Sequence, residues 1–150
     1  MADVLYFEDL TPGRQFRSGS RLLDAEQIKA FARDYDPQPF HTDEIAAAAT
    51  FFRGLAASGW HTTAIMMRLI VDGEFRPAGG VIGAGVDELR WPRPVRPGDT
   101  LSVVSEVVES RVSKSRPEQG IVRVRHTTVN QNGEAVLEII GNHVVPRRPA

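Results

Sequence analysis

Cysteine is absent from this 150-residue chain. Its absence excludes disulfides, thiolate zinc sites and cysteine nucleophiles, and is compatible with a reducing cytoplasm. A charge excess is also lacking. The formal net charge is -1, so no global field draws in nucleic acid or an anionic membrane. No stretch approaches the roughly 20 apolar residues that span a bilayer. The opening MADVLYFEDL has no basic region followed by a long apolar run, unlike a signal peptide. A cytoplasmic protein with neither nucleic-acid nor membrane partner is therefore expected. Internal repeats and low-complexity linkers are missing too. Gly79-Gly80 and Gly83-x-Gly85 do not precede a helix, which removes a dinucleotide fingerprint. What remains is ordinary: 41% hydrophobic and 25% charged residues, one globular domain over 1–150.

The patterning predicts α+β. Gln15 to Leu23 reads as a first strand. Asp24 caps a helix, with Gln27 placed for a capping box. Ile28, Phe31, Ala32 and Tyr35 follow at helical spacing, and Pro37 ends the helix. Thr42 is expected to cap a second, short helix, with Asp43 and Glu44 in its first turn. Ser58 to Val71 predicts a third helix, apolar almost all round after Thr63 except at Arg68, and hence buried at the centre of the fold. Four strands follow, over Gly80–Leu89, Thr100–Val112, Ile121–Val129 and Ala135–Val145. Asn132-Gly133 is the strongest hairpin signal, and Ile121–Val129 with its hairpin partner, rich in β-branched residues, is expected to present an exposed edge that invites pairing. Helices are expected on one face of a meandering antiparallel sheet.

One segment is unusually stiff. Positions 34 to 43 read DYDPQPFHTD, with two prolines between Asp36 and His41. Taken alone, Asp36 caps a turn and His41 satisfies a loop carbonyl, or the two are held together on one target. The wider pattern favours the second reading. Asp36-Pro37-Gln38-Pro39-Phe40-His41 resembles the D-x-N-P-L-H motif of MaoC-like dehydratases and (R)-specific enoyl-CoA hydratases. Ser58-Gly59 in FFRGLAASGWHT falls at that family's small-residue approach to the central helix. Arg96-Pro97-Gly98-Asp99-Thr100-Leu101 is similar to its return into a long strand. Gln38 stands where the motif often has Asn and keeps the amide. Met67 stands where some of these hydratases carry serine.

The resemblance implies a hot-dog fold, a homodimer or higher homo-oligomer with its site at the interface, and an acyl-CoA substrate without a cofactor. It implies reversible hydration of a 2-enoyl-CoA to a 3-hydroxyacyl-CoA. Asp36 and His41 then bracket a water as acid and base, with the order of proton transfer between them left open. Pro37 and Pro39 hold Asp36 and Gln38 extended. By the same resemblance the Gly59 amide is the oxyanion donor. Gln38, Ser58, Trp60, His61 and Met67 are the expected substrate-binding residues. Plainer roles stand beside these: His61 as a packing histidine, Trp60, Met66 and Met67 as core, His126 and His143 as structural or surface groups. Arg93, Arg96, Arg147 and Arg148 either meet CoA phosphates or are solvated. His41-x-Asp43-Glu44 is a poor metal site, and no metal is expected. An acyl-CoA thioesterase, which typically places an acid on the central helix, is disfavoured because none lies between Ser58 and Val71. A silent acyl-binding dimer is the non-enzymatic alternative. Acyl chain, and CoA against acyl carrier protein, are left open.

Overall fold

The computed structural model describes residues 3–150. After a 3-10 turn at Phe7–Asp9, the elements are β1 (Gln15–Leu22), α1 (Ala25–Tyr35), α2 (Pro39–Thr42), α3 (Glu44–Ala48), α4 (Gly59–Asp72), β2 (Ile82–Arg90), β3 (Thr100–Val112), β4 (Gln119–Val129) and β5 (Ala135–Pro146). Local chemistry explains most boundaries. Asp24 and Gln27 form the reciprocal capping box of α1. Asp36 closes that helix through its N–H to the Ala32 carbonyl, and Pro37 prevents continuation.

The next segment differs from expectation. Thr42 caps nothing; it is the last residue of α2, a single turn begun by Pro39. Pro39 fits there because the first helical N–H needs no partner. Asp43 caps α3 instead, accepting from the Ile45 and Ala46 amides. An Asp carboxylate reaches those donors as readily as a Thr hydroxyl.

The strands form one antiparallel sheet in the order β1-β3-β4-β5-β2. Asn132-Gly133 does make the β4–β5 hairpin, but as part of a longer loop: Val129 pairs with Ala135. Gly133 has φ 74 and Asn132 has no positive φ, so the two-residue turn that needs both is not used. Alternate residues of β3 and β4, among them Leu101, Val103, Val107, Val122 and Val124, point into the core. There they join Ile65, Met66, Leu69 and Ile70 of α4, which packs on β1 and β3. This five-stranded sheet folded about a long helix is the hot-dog architecture.

Two expectations need correction. α4 is not buried all round. Trp60, Ala64, Met67 and Val71, spaced four, three and four apart, are exposed along one face. One chain has only one sheet to lay against the helix, so the opposite apolar face stays uncovered. The β-branched strand β4 is also not an edge, as it lies between β3 and β5. The edges are β1 and β2, and β2 is exposed over nearly its whole length.

Candidate active site

Asp36 ends α1 and His41 lies in the single turn of α2, so the two prolines between them do bring both side chains to one place. His41 Nε2 is 3.3 Å from Asp36 Oδ2. The imidazole is buried, and its Nδ1 lies 2.6 Å from the Ala56 carbonyl oxygen. A carbonyl only accepts, so Nδ1 carries the proton and Nε2 is turned to the carboxylate. The other carboxylate oxygen, Oδ1, accepts from the Gln38 side-chain amide. Burial pushes the Asp36 carboxyl up, but hydrogen bonds from Gln38 and Ser58 and the neighbouring His41 outweigh it and hold the group below its ordinary value. At neutral pH the site therefore presents a carboxylate.

The helix N-terminus supplies the opposite polarity. Ser58, fully buried, caps α4 by accepting from the Trp60 amide. The Gly59 N–H has no acceptor among the described residues. It points out of a 14-residue helix whose dipole favours negative charge there. Trp91 explains why glycine is needed: its indole N–H donates to the Gly59 carbonyl at 3.0 Å. A Cβ at position 59 would lie 2.6 Å from the indole ring.

These groups share one cavity of about 720 Å³, within the range of small-molecule sites. Asp36, Gln38, His41, Gly59 and Trp60 all line it. Ser58, buried as the helix cap, His61 and Met67 do not. His61 stacks on Phe31 of α1, centroids 4.5 Å apart and nearly parallel, with Nδ1 unpartnered. Burial, with the nearby Arg21, lowers its pKa. Met67 sits on the exposed face of α4, two turns from Gly59. Trp60 and Met67 are exposed rather than core, whereas Met66 is buried.

The arginines separate. Arg147 and Arg148 pair with Glu8 and Asp9, away from the cavity. Arg93 lines the cavity and pairs with Glu134. Arg96 also lines it, but its guanidinium is bound to backbone carbonyls at Phe52, Gly54 and Leu55. Sequence reading missed Trp91 and the aromatic wall of Phe40, Phe51 and Phe52. The one available signal was Trp91 standing directly before the proline-rich PRPVRPGD. Among the described residues no three His, Asp or Glu side chains gather as metal ligands. Among the described residues no helix is long and apolar enough to cross a membrane.

Residues 8–130 match the MaoC like domain family. The chain belongs to that family. A MaoC-like dehydratase from Rhodospirillum rubrum is 51% identical, with 97% of this chain and 99% of that one aligned at a TM-score of 0.94. The R-hydratase PhaJ1 from Pseudomonas aeruginosa is 28% identical, covering 95% of this chain and 86% of its own, with a TM-score of 0.75. The uncharacterized protein YdeM of Bacillus subtilis is 32% identical over 87% of this chain and 92% of its own length. The MaoC-like hot-dog assignment thus holds along nearly the whole chain.

Proposed function

We propose that this MaoC-like protein catalyses the reversible addition of water to a 2-enoyl thioester, giving the (R)-3-hydroxyacyl thioester, with CoA as the carrier. The observation that carries this reading is the Asp36–His41 pair opposite a free helix N–H, all facing one apolar cavity. A water between the pair donates one hydrogen bond to the Asp36 carboxylate and one to His41 Nε2. Its oxygen bonds to the β-carbon as one of its protons passes to the pair. The α,β π bond opens, and charge collects on the thioester oxygen. The Gly59 N–H takes that charge; such a donor is typically worth about 2.7–4 kcal/mol of barrier. The pair then delivers a proton to the α-carbon and is restored. No net redox change occurs, so no redox cofactor is called for. The R-hydratase among the solved relatives supports the direction and the stereochemistry.

The exposed apolar stripe of α4 and the open edge of β2 support a homodimer that covers both. Met67, outside the cavity of one chain, then belongs to the dimer contact and reaches the acyl chain only if that contact borders the site. A cytoplasmic location goes with the CoA thioester. Crotonyl-CoA decides the reaction: loss of enoyl absorbance without free thiol is the expected result. Free thiol would make the protein a thioesterase, and no change with a panel of enoyl thioesters would leave a non-catalytic acyl binder.

A further inference from the structure

Between α3 and α4 the backbone takes an unusual path. Arg53 has φ 55 and Gly54 has φ 154, and Arg53 is the single non-glycine residue with positive φ among the described residues. Such a conformation is costly for an ordinary side chain and persists only where neighbours hold it. The holder is Arg96. Its Nη1 donates to the Gly54 and Leu55 carbonyls at 2.9 and 3.2 Å, and its Nη2 donates to the Phe52 carbonyl. The Arg96 backbone N–H is in turn fixed by Asp99 Oδ2, and Asp99 Oδ1 accepts from Gln131. The next carbonyl along the strained segment, at Ala56, is the one that receives His41 Nδ1. The same stretch is tied to α2 through the Ala56 N–H to the Phe40 carbonyl, and to Val95 through the Ala57 N–H.

We propose that Arg96 is a positioning residue: by gathering three carbonyls of the 52–55 segment it aims the Ala56 carbonyl at His41 and so fixes the tautomer that leaves Nε2 facing Asp36. Three acceptors on two nitrogens require the planar fork of a guanidinium, which an ammonium does not offer. The proposal rests on the hydratase reading for its catalytic consequence, but not for its structural one.

The test measures both. In ¹⁵N-histidine-labelled protein, long-range ¹H–¹⁵N correlation shows which ring nitrogen holds the proton, and His41→Gln assigns the signal. Wild type should show His41 protonated at Nδ1. Arg96→Gln should show a mixture with the Nε2–H form. Its kcat for crotonyl-CoA should fall by about 10- to 100-fold with KM nearly unchanged, the scale expected for a small misplacement. In Arg96→Ala, guanidinium at tens of millimolar should restore part of kcat and leave wild type unaffected. A folded Arg96→Gln that keeps Nδ1–H overturns the proposal whatever its rate. Should that variant not fold, Arg96→Lys replaces it, and an unchanged tautomer with an unchanged kcat overturns it equally. A wild type that hydrates no enoyl thioester would end the functional reading, while the tautomer comparison would still decide the role of Arg96.

Discussion

His41 and His126 are both buried imidazoles with unlike surroundings. His41 faces a carboxylate, and the proposed function rests on that meeting. Asp36→Asn and His41→Gln should each fold and still bind acyl-CoA, yet each should lose about 10²–10⁴-fold in hydration rate. Because both act on one water, the double variant should be little worse than the worse single variant. Steady-state rates that multiply instead would show two independent groups. His126 faces another imidazole: its Nε2 is 2.9 Å from His143 Nε2, and its Nδ1 is 2.7 Å from the Ser105 hydroxyl. Burial, with His143 beside it, lowers the His126 pKa to about 3, and burial lowers that of His143 to about 4. Above pH 6.5 neither folded nor unfolded chain protonates these rings, and they leave stability unchanged. Below it the unfolded chain binds protons that the folded core refuses. Stability should therefore fall with pH from 6.5 down to about 4 and 3, by up to about 2.7 kcal/mol per pH unit for two histidines. Urea unfolding at pH 7, 6 and 5 reads this slope, and His143→Gln should reduce it by about half.

At the scale of elements, the meeting of α4 with the loop before β3 decides the oxyanion side of the site. On the proposed oxyanion role, the missing side chain at Gly59 leaves room for a substrate oxygen to approach the amide. The structure adds a second reason in the Trp91 ring. Gly59→Ala should destabilise the fold by about 1–3 kcal/mol, the usual cost of overpacking. In a Trp91→Ala background the same change should cost much less. Equal urea midpoint shifts in both backgrounds would show that the indole is not the constraint. Activity separates the reasons further. If substrate also needs the space, the double variant regains stability without regaining rate.

The whole molecule leaves Trp60, Met67 and Val71 exposed on α4 and Ile82 and Val86 exposed on β2. An apolar helix face and an open strand edge each invite a second copy. Light scattering at micromolar concentration should give at least twice the 16.5 kDa chain mass. Met67→Asp should lower that mass toward the monomer while the far-UV circular dichroism stays helical. A wild-type mass at 16.5 kDa would remove the dimer from the proposal.

What the sequence determined by itself was mostly local. The α1 capping box, the Ser58 cap, the stop at Pro37 and β3 over Thr100–Val112 depend on neighbours a few residues away, so composition and spacing suffice. The convergence of Asp36 and His41 was legible for the same reason: four intervening residues, two of them prolines, leave few paths between them. Other features needed the tertiary structure because their causes are distant in sequence. Asp43 rather than Thr42 caps α3, a choice between adjacent acceptors settled by how α2 ends. β4 reads as a pairing-hungry edge, yet β3 and β5 flank it. His61 sits one residue from Trp60 in the sequence, but helical rotation turns it from the cavity onto Phe31. Trp91 reaches Gly59 across 32 residues, and Arg96 reaches the Phe52 carbonyl across 44. No periodicity in the chain encodes contacts of that separation. They exist because folding brings the loop before β3 against the start of α4, and only there does a glycine need its missing side chain or an arginine find its three carbonyls.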